Sequence, residues 1–429
     1  MDQRVVRNRS ALENVKMKFR SKISETKDQF TTSHGNRLDA NRLSRTGTLL
    51  AMLLLLVFLT GCGLFLREPR SETPTVPPTV IQVGPTPTQT TIPPVIVGPT
   101  VTPTRAVPPV ISPTPSRAPS PGTSGIAIGV YQPQADTSGV AIDRYIARAG
   151  KKPAFAWQPM TWQRPDGSYV QFDRQLLEEY RTRGIMPGLT WEPSKGPAQR
   201  TGPNQPEFSW KQIASGRYDS YITQFAKDAA AYRYPFILRI LHEMDGTWYP
   251  WGFNVNGNTN VADFVTAYKH IVDLFRAAGA TNVQFVWNPT VIKSTTLAEI
   301  GDKLKQAYPG DNYVDWVALD GYNSSTSDWQ SLQDIFEPSY KFIASFTSRP
   351  MILFEVGSIN NPQDPAATAN WVTQGFLTTI PKLFPNVKVA VWFNSEDGAG
   401  RNFSLNTPDT INAWKQVVSS PLYQENLLK

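Results

Sequence analysis

A (β/α)8 barrel is the fold that the second part of this sequence predicts, and three observations predict it. Eight short apolar runs, rich in β-branched and aromatic residues, recur between residues 126 and 394. The segments between them carry helical period. The roughly 300 residues from 123 to 429 are the length that eight strand–helix units need. Continuous apolar strands separated by amphipathic helices imply a parallel sheet covered on its outer face. An open doubly wound sheet would alternate in the same way, but nothing here resembles a Gly-rich nucleotide turn.

In chain order the strand candidates are IAIGVYQ (126–132), AFAWQP (154–159), IMPGLTWE (185–192), FILRILHE (236–243), VQFVWNP (283–289), WVALDGYN (316–323), MILFEVG (351–357) and VAVWFN (389–394). Between the third and fourth, Tyr218, Tyr221, Ile222, Phe225, Ala226 and Ala229 fall at helical spacing on one face. After the fourth, Phe264, Tyr268, Ile271, Val272 and Phe275 do the same.

The part before residue 123 reads differently. Residues 1–46 form a basic segment expected to stay in the cytoplasm. With eleven Lys or Arg against five Asp or Glu in the first 47 residues, nearly all of the chain's net +7 lies there. The remainder is almost neutral, which argues against a nucleic-acid ligand. Residues 47–66, GTLLAMLLLLVFLTGCGLFL, contain no charge and are long enough to cross a hydrocarbon core of about 30 Å as a helix. By the positive-inside rule, the chain beyond Arg67 is then outside the cell. Within this run Leu59, Thr60, Gly61 and Cys62 look like a bacterial lipobox, so a signal anchor and a lipidated Cys62 are both open readings. Either one tethers the protein to the outer face of a membrane. Residues 67–122 contain sixteen prolines and read as an extended spacer, at most on the order of 170 Å long. Residues 123–429 are the barrel.

A single cysteine excludes an internal disulfide, and three histidines leave little for a His-based metal site. Aromatic residues are abundant, with 12 Trp, 15 Tyr and 21 Phe. In a barrel the chemistry sits at the carboxyl ends of the strands. Those ends read Trp157-Gln158, Trp191-Glu192, His242-Glu243 followed by Trp248 and Trp251, Trp287-Asn288, Asp320-Gly321-Tyr322-Asn323, Glu355, and Trp392-Phe393-Asn394. Indoles beside amides and carboxylates suit a sugar, whose C–H faces stack on aromatic rings while its hydroxyls need donors and acceptors. Trp157, Trp191, Trp248, Trp287, Trp392, Asn288, Arg239 and Asp320 are therefore the candidate substrate-binding residues.

Glu243 ends the fourth strand and Glu355 the seventh. Either alone fits a structural salt bridge or a solvated loop position as well as it fits catalysis. Together, on opposite sectors of a barrel rim, they fit retaining glycoside hydrolysis, which needs an acid and a nucleophile about 5–5.5 Å apart. Arg239, four residues before Glu243, shares its face if alternation holds and could support the carboxylates. Both His242 and Glu243 can face the site only if the strand ends or bulges there. A zinc motif H-E-x-x-H is set aside, because its second histidine would fall on Gly246.

The stretch GRYDSYITQFAKDAAAYRYPFILRILHEMDGTWYPWG, with AYPGDNYVDWVALDGYN, ILFEVGS and VAVWFN after it, resembles the family 26 glycoside hydrolases over nearly all of 126–415. That resemblance implies a (β/α)8 barrel cleaving a β-linked polysaccharide with retention. The first expectation is an endo-acting β-1,4-mannanase, with mixed-linkage glucanase and xylanase as alternatives. Matched by motif, Glu243 would be the acid/base with His242 beside it, and Glu355 the nucleophile held by the phenol of Tyr322. Trp392 would be the platform under the cleaved sugar, and Trp248 would line the next subsite. Asp245 stands where the family more often has Asn, which should alter local support and the acid's pKa. No metal or cofactor is implied, and the enzyme is expected to act as a monomer. A non-catalytic carbohydrate-binding barrel and a structural envelope protein are the competing readings. Only the first of these accounts for the aromatic rim.

Overall fold

The computed structural model describes residues 125–133 and 139–427. The basic segment, the apolar run with Cys62 and the proline-rich spacer lie outside the described residues. No helix among the described residues is long and apolar enough to cross a membrane.

Eight parallel strands close on themselves: β1 (Ile126–Tyr131), β2 (Phe155–Gln163), β3 (Met186–Lys195), β4 (Phe236–Ile240), β5 (Val283–Trp287), β6 (Trp316–Asn323), β7 (Met351–Ser358) and β8 (Val387–Phe393). Each pairs with its successor, and β8 and β2 both flank β1, so the sheet has no open edge between them. A two-residue strand, β9 (Tyr423–Gln424), adds to the amino end of β1 through Ile126 and Ala127. The eight expected runs are the eight barrel strands.

One principal helix follows each strand: α1 (Val140–Ala149), α2 (Arg174–Arg181), α3 (Asp219–Tyr232), α4 (Val261–Ala277), α5 (Ser294–Gln306), α6 (Leu332–Ala344), α7 (Pro365–Gln374) and α8 (Pro408–Ser419). Their starts are written in short polar side chains. Asp173, Asn260 and Asp364 accept hydrogen bonds from first-turn amides, and Ser331 with Asp334 forms a capping box.

Alternation along the strands sorts the apolar residues into two clusters. One lies between the sheet and the helices and includes Leu189, Trp191, Leu238, Trp287, Leu353 and Trp392. The other fills the barrel and includes Phe155, Trp157, Met186, Ile237, Val286, Phe354, Val391 and Phe393. The barrel is thus a packed core, and its mouth at the carboxyl ends is where polar side chains replace apolar ones.

Candidate active site

The centre of the mouth is built on Arg239. This arginine is completely buried inside the barrel, its guanidinium 4.0 Å from the ring centre of Phe354 and 4.5 Å from that of Trp157. All three of its nitrogens are used. Nε donates to Thr190 Oγ1 on β3 at 2.9 Å, and Nη1 donates to Asn288 Oδ1 at 3.1 Å and Asp320 Oδ2 at 2.8 Å. Nη2 donates to Glu355 Oε1 at 2.5 Å. A buried charge is tolerable only when it is paired and hydrogen-bonded in this way.

Glu355 reaches this position because β7 is irregular. Leu353 pairs with Leu319, but Glu355 pairs with Asp320, so one residue is extra on β7. The bulge puts both Phe354 and Glu355 on the inner side, Phe354 against the guanidinium and Glu355 one step nearer the mouth. The second carboxylate oxygen of Glu355 accepts a hydrogen bond from the phenol of Tyr322.

Glu243 arrives by a different route. Regular pairing of β4 stops at Ile240, and Leu241 and Glu243 both adopt left-handed φ, 49° and 50°. Non-glycine residues seldom accept this conformation, and it persists where surrounding contacts hold it. Here the Glu243 amide donates to the carbonyl of Asn288 at 2.6 Å. Asp245 pins the same turn to the end of β5, accepting from the amide of Thr290 at 3.0 Å and from its hydroxyl at 2.6 Å. Trp248 caps the carboxylate, its indole N–H donating to Glu243 Oε2 at 2.6 Å.

The result is one acidic cluster. Single oxygens of Glu243, Asp320 and Glu355 all lie within 4.8 Å of one another. Among the described residues this is the group whose spacing could suit a cation, but Arg239 already forms ion pairs with two of its three carboxylates. Burial, then the charge of Glu355, pushes the Glu243 carboxyl up to about 8. Burial raises Asp320 well above the usual carboxylate range despite Arg239, and its Oδ1 has no partner. Burial and then Arg239 hold the imidazole of His242 neutral. Its ring packs against Tyr249 and Trp251, with Nδ1 unpartnered.

The structure brings Glu243, Glu355, His242, Tyr322 and Trp248 together and disperses much of the expected binding set. Trp191, Trp287 and Trp392 face the helices. Trp191 stacks on Phe225 at 4.3 Å, Trp287 packs edge-on to Tyr308, and Trp392 sits among Trp371, Phe376 and Trp414. None of the three is more than 1% exposed, so Trp392 cannot underlie a sugar. Alternation is the reason: in each strand-end pair the tryptophan points outward and its neighbour, Glu192, Asn288 or Phe393, points inward. Trp157 does lie inside the barrel, but under Tyr131, whose ring stacks on it at 4.4 Å. Arg239, Asn288 and Asp320 are buried among one another, and their hydrogen bonds run through Arg239 to Glu355. The aromatic surface at the mouth comes from Trp248, which is 48% exposed, and from Tyr131, Tyr322 and Phe393. Tyr131, Phe393 and Glu192 were not among the expected site residues, although counting in twos from Thr190 places Glu192 on the inner face.

Residues 209–361 match the sequence model described as Glycosyl hydrolase family 26, which bears out the resemblance read from the sequence. Over 308 residues the chain is 32% identical to endoglucanase H of Acetivibrio thermocellus, covering 69% of this chain and 31% of that protein. Over 172 residues it is 26% identical to a mannan endo-1,4-β-mannosidase of Bacillus subtilis, covering 39% of this chain and 41% of that one. The chain therefore spans less than half the length of these relatives. A solved GH26 β-mannanase from Bacteroides ovatus shares the barrel fold at a TM-score of 0.50 and 19% identity, over 70% of this chain and 90% of that one.

Proposed function

We propose that this chain, built around a family 26 core, is a retaining endo-acting β-glycanase. The observation that carries the reading is the approach of Glu243 and Glu355, whose nearest carboxylate oxygens are within 4.8 Å. Retaining hydrolysis uses carboxyl groups about 5–5.5 Å apart, and the inverting arrangement needs about 6.5–9.5 Å to admit a water.

Glu243, kept protonated through neutral pH by burial and by the charge of Glu355, is the acid. It gives its proton to the glycosidic oxygen as that oxygen's bond to the anomeric carbon breaks. Glu355, fixed by Arg239 and Tyr322, forms a bond to the same carbon from the opposite face. Glu243, now ionised, then takes a proton from a water whose oxygen displaces Glu355, and the starting state returns. Trp248 supports both a sugar face and the acid, because its indole is exposed while its N–H is bonded to Glu243.

β-1,4-Mannan is the substrate expected from the resemblance, and the mannanase names among the relatives support it. A β-glucan is the second reading, favoured by the longer likeness to endoglucanase H. We also propose that the barrel works outside a membrane, tethered through the apolar run at 47–66 and the spacer at 67–122; the sequence pattern alone supports this. The full chain, incubated with β-mannan, barley β-glucan and xylan, is expected to release reducing ends from at least one. Proton NMR of the fresh product should show the β-anomer first. Initial α-product, or no product from any of the three, would refute the reading.

A further inference from the structure

Glu192 is a carboxylate at the mouth that the proposed mechanism leaves unused. It follows Trp191 on β3, and its side chain lies on the inner face, two residues beyond the Thr190 that binds Arg239. Trp191 pairs with Ile240, so Glu192 stands level with the end of β4, beside the turn that carries His242 and Glu243. It is 2% exposed and makes no hydrogen bond or ion pair with any described residue. Tyr131, ending β1 on the same inner face, also leaves its phenol without a hydrogen bond. A buried carboxyl with no hydrogen-bond partner is a net cost to folding, and such groups persist where something outside the fold completes them.

We propose that Glu192 is a substrate-binding residue that hydrogen-bonds a hydroxyl of the sugar ring lying over Glu355, with Tyr131 beside it. This rests on the hydrolase reading for the identity of the ring, but it requires only that a β-glycan occupies the mouth. A carboxyl suits the task in either charge state, since it accepts from a hydroxyl when ionised and can also donate when protonated. Burial, opposed by Arg239 and reinforced by Glu355, pushes it up to about 7, so both forms are present near neutrality. A site built to pair a hydroxyl discriminates strongly against a ring that lacks it, because the buried polar group is then left unpaired.

The test uses the full chain carrying Glu355→Ala, so that bound sugar is not consumed, titrated calorimetrically with mannotetraose, cellotetraose and xylotetraose. Adding Glu192→Ala should weaken binding of whichever tetraose the parent holds by roughly tenfold or more. Glu192→Gln, which keeps a donor and an acceptor, should fall between the two. An unchanged dissociation constant in the Glu192→Ala chain overturns the proposal, as does a parent that binds none of the three. Thermal unfolding at pH 8 separates binding from structure. Glu192→Gln should melt no lower than its parent, because the attraction of Arg239 for the Glu192 charge is outweighed by the cost of burying it, and a lower Tm would make Glu192 a structural residue and overturn the proposal. If the unsubstituted chain binds a tetraose but releases no reducing ends, the hydrolase reading fails while the assignment of Glu192 stands.

Discussion

The ends of β4 and β7 present the same side chain to the same space and hold it in opposite ways. At β7 a bulge inserts Glu355 into the sheet's own hydrogen-bonded frame, where Arg239 and Tyr322 each bond one of its oxygens. At β4 the sheet has already stopped, and Glu243 stands on a turn of left-handed residues with one side-chain hydrogen bond, from the exposed Trp248. A group that must carry negative charge and strike one carbon profits from a rigid, charge-stabilising frame. A group that must give up a proton and recover it profits from a poorly solvating place with few fixed donors. Under the proposed mechanism, the difference in support is the structural form of the difference in role.

The comparison is broken most severely at β7. Glu355→Ala should lower kcat on the substrate polysaccharide by on the order of 10⁴ or more, measured as reducing-end release. Glu243→Ala should cost less, roughly 10²–10⁴, and the loss should shrink on an aryl glycoside whose leaving group needs no proton. Equal losses on both substrates would remove the asymmetry between the two strand ends. Trp392→Ala tests the outer face: it should destabilise the fold by about 3–5 kcal/mol in chemical denaturation, because a large buried indole leaves a cavity. A well-folded Trp392→Ala chain that lost its sugar affinity would overturn the outward placement.

The smallest effect concerns pH. The carboxyl of Glu243 stays protonated in the fold up to about 8, so kcat/KM should fall as pH rises through that value. The Trp248 hydrogen bond favours the ionised form, and Trp248→Phe should therefore move this alkaline limb upward, by about one pH unit or less. The same raised carboxyl affects stability with a definite sign. The folded chain holds the proton while the unfolded chain releases it at ordinary carboxylate pH, so stability falls as pH climbs from the ordinary carboxylate range to about 8.

Most of the architecture was legible because strand and helix periods are local. Eight apolar runs became eight strands, and the two glutamates on the fourth and seventh fell into one cluster. The illegible part depends on the phase of each strand. Reading strand ends as unordered pairs credited Trp191, Trp287 and Trp392 with a cleft that their neighbours face. The Glu355 position needed the extra residue of β7, and apolar run length does not reveal a bulge. For Arg239 the expected support of the carboxylates holds, but not through unbroken alternation to Glu243, since regular pairing in β4 stops at Ile240.

The small strand β9 lies along the first two residues of β1, at the end of the barrel remote from Glu243 and Glu355. Residue 126 thus enters the sheet on the floor of the molecule while the carboxylates look out through its roof. The first strand therefore begins at the face of the barrel opposite the one where Glu243 and Glu355 meet.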